Sequence, residues 1–429
     1  MANKADNDQM GAYTEAVQSG LYAKQTGLVG KYDNVRRYWE DEITRDFIRP
    51  HLQELMNYKR SSMQRIRIMD IGCGSADGYE LLAGIRQRDP DLQDSQINLL
   101  TPDMLGVYCG VDLNEDLLHQ AASYYGHHPK LEFRQADFTQ GLPLDKDERS
   151  YDLYFASYGT WSHHNQDETA VRLLADIARR TDEYAIIVCD WLGRYSYEWQ
   201  TLWTNDLTEN RNMDYVVSYI YEKEEREARR DELQHLTLRL MCRQEIDAIV
   251  GAASKEAGTE IKPLRFFDRS ILTGRHMDTA DYNPHAQPLR QAVNVLHESN
   301  VRADLNSLLV NYVPKAGFDF INDYFEHLQM CWNTLVEYTG MLLKEYDHEK
   351  EEISTNIRPI PASYPEVLRR MMERMRRVVE NTGWLGIGLP RENVIEPQLG
   401  YALRHLVTTL QQGQGCAHGL VGVFEVKKG

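Results

Sequence analysis

Three aspartates, Asp70, Asp112 and Asp137, each stand at the end of an apolar run that reads as a β-strand. A carboxylate at such a strand mouth can accept the hydrogen bonds of a vicinal diol or of an exocyclic amine. Asp70 belongs to Arg67-Ile68-Met69-Asp70-Ile71-Gly72-Cys73-Gly74-Ser75-Ala76-Asp77-Gly78. Gly72 and Gly74 let the backbone there turn tightly against a small molecule, because glycine has no Cβ and accepts φ > 0. Asp112, followed by Leu113, is placed to take both hydroxyls of a ribose. Asp137 can accept from an adenine amino group while Phe138 packs on the ring. A fourth strand, Tyr151 to Gly159, brings Ser157 and Tyr158, and Trp161, His163 and His164 follow it. An imidazole has an ordinary pKa near ~6.5, suited to a general base. Two adjacent side chains rarely face one pocket, so His163 and His164 are alternatives, with Tyr158 and Trp161 as other pocket-lining candidates. A fifth strand, Tyr184 to Trp191, carries Asp190 near its end.

The elements that must position these residues alternate between strand and helix over residues 64 to 190, the pattern of a parallel sheet covered on both faces. Leu236 to Met241 then leads into a helix over Gln244 to Glu256, ended by Gly258, and Leu264 to Leu272 reads as a sixth strand. The next credible strand is Leu420 to Val426. Residues 276 to 417 therefore read as one large, mainly helical insertion before the last strand, with helices expected within Leu289–Val313, Phe318–Tyr346, Glu366–Glu380 and Gln398–Gln411 and a loop over Gly383–Pro390. A smaller insertion, 192 to 235, is rich in aromatics and ends in a charged helix over Glu222–Glu232. Asp89 to Asp103 reads as a loop insertion. Near the start, Asp33 or Asn34 is expected to cap a helix that Pro50 stops.

At these positions the chain resembles the class I S-adenosylmethionine-dependent methyltransferases. Asp70, Gly72 and Gly74 match the glycine-loop motif, Asp112 the ribose acid, Asp137 and Phe138 the adenine pair, and Tyr151 to Gly159 the fourth strand. The likeness covers roughly residues 64 to 275 and the last strand near 418 to 427. It implies a doubly wound α/β fold with a mostly parallel, seven-stranded Rossmann-like sheet, and S-adenosylmethionine as cofactor. It also implies that an N-terminal segment covers the cofactor, with Tyr32 or Arg36 meeting the methionine carboxylate. One position departs from the family pattern. Ala76 stands where a third glycine is usual, and an alanine fits a close approach there only with negative φ; Gly78 is the alternative source of flexibility. The rival nicotinamide-dinucleotide reading wants a helix N-terminus free to hold a pyrophosphate, and Asp77 places an acid in that position.

Domains are thus expected at 1–63 (helical cap), 64–191 (cofactor-binding half), 192–235 (aromatic lid), 236–275 (rest of the core), 276–417 (helical lid or dimerisation element) and 418–429 (last strand). Tyr195, Trp199 and Trp203 of the aromatic segment, with His276 after the sixth strand, are the candidate acceptor contacts. Stacking walls suit a planar or hydrophobic acceptor; alternatively, these aromatics form the lid's own core.

The 429 residues carry a net charge of −17, from 48 Lys and Arg against 65 Asp and Glu, a balance opposed to phosphate binding over a nucleic acid. The Arg-rich run Arg369 to Arg377 reads as a solvated or interfacial helix face. No apolar run approaches the ~18 residues of a membrane span. Six scattered cysteines without Cys-x-x-Cys point to a reduced, cytoplasmic protein with neither disulfide framework nor metal site. A methyltransferase acting on O, N or C of a small molecule is the leading expectation. A cyclase or eliminase on the same fold, and a non-catalytic interaction protein, are the alternatives.

Overall fold

The computed structural model describes residues 13–18, 20, 22, 26–87, 97–347, 352–353, 359–382 and 388–428. The first twelve residues of the expected cap, much of the 89–103 loop and most of the 383–390 loop lie outside these. Nine strands form the main sheet among the described residues: β1 (Ile66–Ile71), β2 (Leu105–Asp112), β3 (Leu131–Gln135), β4 (Leu153–Phe155), β5 (Tyr184–Gly193), β6 (Asn212–Val216), β7 (His235–Met241), β8 (Lys262–Arg269) and β9 (Gly419–Lys427). Seven run in the order β8-β9-β5-β4-β1-β2-β3. β1 to β5 pair in parallel, and β9 lies antiparallel between β5 and β8. This is the expected seven-stranded α/β sheet, interrupted before its last strand by the helical region.

Two strands extend it. β7 continues the sheet beyond β5 through the parallel pairs Leu192–Leu240 and Gly193–Met241, and β6 pairs antiparallel with β7. The strands are buried on both faces because alternate residues feed two apolar clusters. Ile68, Leu153, Phe155, Ile186 and Val188 face one, with helix α1 (Asp41–Ser61). Met69, Ile71, Tyr154, Ile187 and Cys189 face the other, with helices α4 (Asp167–Arg180) and α5 (Arg243–Ala257). Helices α2 (Asp77–Ala83) and α3 (Glu115–Tyr125) follow β1 and β2. All six cysteines are buried free thiols.

Several expectations are corrected. Pro50 does not stop the first helix. A π-helical segment, Arg36–Glu40, runs into α1, which continues through Pro50 to Ser61. Proline costs the helix one backbone bond, but Phe47, Ile48, Leu52, Leu55 and Met56 keep a buried stripe on either side of it. The span Leu289–Val313 gives only α6 (Leu289–Leu296) and a 3-10 turn, Leu305–Leu308. The other helices fall close to expectation, as α7 (Asp319–Glu345), α8 (Glu366–Glu380) and α9 (Glu396–Leu410). The charged segment splits into Lys223–Ala228 and Arg230–Glu232. No helix among the described residues is long and apolar enough to cross a membrane.

Candidate active site

A cavity of about 190 Å³ opens at the carboxyl ends of β1, β2 and β4, the edge at which open α/β sheets bind ligands. Gly72, Gly74, Asp112, Leu113, Asp137, Phe138, Ser157, Tyr158, His163 and Arg36 all line it. Gly72 (φ +67°) and Gly74 (φ +54°) turn the chain beneath it, and a Cβ on Gly72 would lie within 2.9 Å of the Thr160 hydroxyl oxygen. Ala76 also adopts positive φ, +64°, with its side chain buried. The negative φ expected there is wrong: the third bend is left-handed despite the Cβ, a strained geometry held by its surroundings.

Asp112 binds the loop to the second strand. Its Oδ2 accepts from the Gly74 N–H at 2.8 Å and its Oδ1 from the Asn114 N–H at 2.9 Å. Burial raises its pKa, and these backbone donors oppose the rise. Asp137, two residues beyond β3, accepts from the Thr139 N–H at 2.9 Å and lines the cavity. Asp70 does not line the cavity. It lies beneath the loop, accepts from the Tyr108 hydroxyl and presses on Gly78, where a Cβ would collide with its carboxylate. Burial pushes the Asp70 pKa up to about 8 against that hydrogen bond. Gly78 is required by this contact rather than by loop flexibility.

The N-terminal segment closes the cavity with charge. Lys31 Nζ meets Asp77 Oδ2 at 2.7 Å and Arg36 meets the same oxygen at 3.0 Å. Burial alone would raise Asp77, yet the two cations hold it well below the carboxylate range. An acid so neutralised repels a phosphate less than its sequence position implies. Tyr32 donates to Asp77 and stands behind this pair rather than on the cavity wall. The Arg36 guanidinium lies 3.7 Å from the Tyr158 ring centroid and Arg269 lies 4.1 Å from it. The Tyr158 hydroxyl donates to Asp41 and burial carries its pKa well above 10, which removes Tyr158 as a proton acceptor.

Of the two adjacent histidines, His163 faces the cavity and His164 does not. His164 bonds Thr169 at 3.1 Å and packs against Trp161 and Phe138. Burial lowers His163 to about 4 and His164 to about 3. Both are neutral at pH 7, and the near-neutral pKa expected of a base is not found at either. Trp161 packs against Trp191 in the core. Trp199 donates to the Gly193 carbonyl and Trp203 to the Ser196 carbonyl, both at 2.8 Å. Tyr195 packs on Trp203 and Phe318. None of these four lines the cavity: Tyr195, Trp199 and Trp203 pack into the main apolar cluster, against Phe318, Phe325 and His418 from elsewhere in the chain. His276 is buried behind the wall, edge-on to Tyr215 and Tyr219, with Nδ1 3.3 Å from Asp281.

The rest of the lining contains residues that spacing did not single out, Tyr13, Tyr22, Lys31, Tyr215, Tyr219 and His418, together with Arg275, which stands beside the candidate His276. Tyr22 and Tyr219 join their hydroxyls at 3.3 Å, and Lys31 lies over Tyr22. Tyr215 and Tyr219 belong to the aromatic segment already marked by composition. Arg275 follows the sixth strand next to His276, and Tyr13, Tyr22, Lys31 and His418 had no local signal. Tyr219 and Arg275 also wall a larger cleft of about 1290 Å³, bounded by β6 and by residues 275 to 294. A buried ion network ties this side together: Arg290 pairs with Asp33 at 2.7 Å and with Glu40 at 2.7 Å, and Arg275 reaches Glu40 at 3.8 Å.

No family model matches the chain and no curated protein matches it. Among solved structures, it is similar to an S-adenosylmethionine-dependent methyltransferase from Clostridium acetobutylicum (13% identity over 55% of this chain and 86% of that one, TM-score 0.34). It is similar to the magnesium protoporphyrin IX methyltransferase of Synechocystis (12% identity, 61% and 90%, TM-score 0.33). A third is CalS10, an amino pentose methyltransferase from Micromonospora echinaspora (12% identity, 53% and 86%, TM-score 0.31).

Proposed function

We propose that the protein is an S-adenosylmethionine-dependent methyltransferase acting on a small molecule. The observation that carries this is the donor set of the cavity. Asp112 and Asp137 offer carboxylates at the ends of β2 and β3, Phe138 and Leu113 supply apolar surface, and Gly74 leaves room beside Lys31. Carboxylates suit a ribose diol and an adenine amine, and the Lys31–Arg36 pair suits the cofactor's carboxylate. These residues fit that cofactor, which supplies a methyl group on a cationic sulfur when bound. Asp112 would hold the ribose, Asp137 and Phe138 the adenine, and Lys31 and Arg36 the amino-acid end.

The protein's own contribution to transfer is orientation and exclusion of water. Tyr13, Tyr22, Tyr215 and Tyr219 close the cavity, and the larger cleft behind Tyr219 and Arg275 is the acceptor's route. Titration calorimetry with S-adenosylmethionine and S-adenosylhomocysteine tests the reading. Wild type is expected to bind both, and Asp112→Ala to bind both much more weakly. Absence of heat with wild type would refute it.

A further inference from the structure

His418 is the first residue before β9, and β9 begins at the carboxyl edge of β5 because it runs antiparallel to it. That topology delivers His418 to the cavity from the far end of the chain. Its Nδ1 lies 3.1 Å from both oxygens of Glu198. Glu198 is 1% exposed and is built in from three sides. It accepts from the His276 N–H at 2.7 Å and from the Ser196 hydroxyl at 2.9 Å, and Gly274 leaves the space that its carboxylate fills. Burial works against its charge, but His418 leads the opposing interactions that keep its pKa below the ordinary value. Trp199 packs against the His418 ring at 5.4 Å. With Nδ1 committed to Glu198, the nitrogen left for a ligand is Nε2, which has no partner among the described residues. The neighbouring lining is Tyr215, Tyr219, Leu192 and Leu238, a wall suited to a flat ring.

Resting on the methyltransferase reading, we infer that His418 is the general base for the acceptor, that Glu198 is its positioning residue, and that the acceptor is a phenol. The carboxylate fixes Nδ1 as the protonated nitrogen and steadies the imidazolium that forms. The acceptor O–H bond breaks and its proton goes to Nε2. The freed oxygen electron pair forms the new O–C bond, and the electrons of the methyl–sulfur bond stay on sulfur, leaving a neutral thioether. A phenol needs such a base near neutral pH, because most of it is un-ionised there.

The test uses full-length protein, S-adenosylhomocysteine, labelled S-adenosylmethionine and a series of simple phenols that includes 4-nitrophenol. In the complex with S-adenosylhomocysteine, wild type is expected to raise the absorbance of bound 4-nitrophenolate below the phenol's own pKa. His418→Asn and His418→Gln are expected to lose that band while binding S-adenosylhomocysteine as wild type does. With unsubstituted phenol their kcat is expected to fall about 100-fold or more, the range of general-base assistance, and the deficit to shrink for 4-nitrophenol once it is ionised in solution. Glu198→Gln is expected to weaken the band and lower kcat with little change in KM. Wild-type rates in the His418 variants, or loss of S-adenosylhomocysteine binding in both, would overturn the base. A wild type that binds cofactor but methylates no phenol would overturn the acceptor class. Failure of S-adenosylhomocysteine to bind wild type would instead remove the underlying methyltransferase reading, and this proposal with it.

Discussion

The two walls of the cavity are built by different rules. One takes Gly72, Gly74, Asp112, Asp137 and Ser157 from the ends of successive parallel strands, each close in sequence to the strand that aims it. The other gathers Tyr22, Tyr219, Arg275 and His418 from segments that meet only when the insertions fold back over the sheet. Strand geometry fixes the first wall, so residue type and spacing suffice to find it. Ion pairs and packing fix the second, and its members depend on partners far away in the chain.

If that contrast is right, damage to the two walls should separate. The largest expected loss is in the second wall's buried network. Arg290→Met leaves Asp33 and Glu40 buried without their shared cation, and chemical denaturation is expected to show a loss of about 3–5 kcal/mol. In the first wall, Asp112→Ala removes a charged acceptor that also holds Gly74. Calorimetry is expected to show S-adenosylhomocysteine binding about 100-fold weaker, ~2.7 kcal/mol, with a smaller change in stability than Arg290→Met.

Gly274→Ala forces a Cβ into the Glu198 carboxylate. Overpacking of this kind costs about 1–3 kcal/mol, and here it should lower turnover while leaving S-adenosylhomocysteine affinity near wild type. A variant with weakened cofactor affinity would show that the walls are not separate.

The pH dependence gives a finer test. His164 has a folded pKa of about 3, below its unfolded value near ~6.5. Its contribution to stability is therefore full above pH 6.5 and is lost as pH falls towards 3. Between pH 7.5 and 5.5 this one residue accounts for about 1.4 kcal/mol, so His164→Gln should show that much less acid destabilisation in urea titrations. The smallest effect belongs to a residue that composition made prominent. Tyr195→Phe keeps the ring against Trp203 and Phe318, and affinity and stability are each expected to stay within about 0.5 kcal/mol of wild type.

The seven-stranded sheet and the helical insertion were legible, because strand ends, apolar periodicity and the long gap before Leu420 are local facts; the reversed direction of the last strand is not one of them. Asp70 was legible as part of the motif but not in its role: only the fold shows that its carboxylate faces Tyr108 and Gly78 rather than the cavity. Trp161 and His164 share the chain segment of His163, yet a single 3-10 turn, Thr160–His163, packs those two together in the core and leaves His163 at the cavity. Their burial depends on Trp191 and Phe138, which local pattern does not reveal. His418 carried no signal at all. Its meaning comes from Glu198, more than two hundred residues earlier, and from the direction of β9.

That direction has a further consequence for how the molecule is made. β5 and β8 share no backbone pairing; Gly419–Lys427 lies between them and pairs with both. Until that strand docks, β5, buried along its whole length in the finished sheet, and β8 present unpaired edges, the surfaces on which chains pair wrongly with one another. The helices α6 to α9 must first collapse among themselves to return the chain to the place it left after β8, so closing the sheet joins parts remote in sequence, the kind of contact that forms late. The same event that pairs β5 with β9 sets His418 at the cavity, so a molecule in which the last strand has not docked also lacks the far wall of its site.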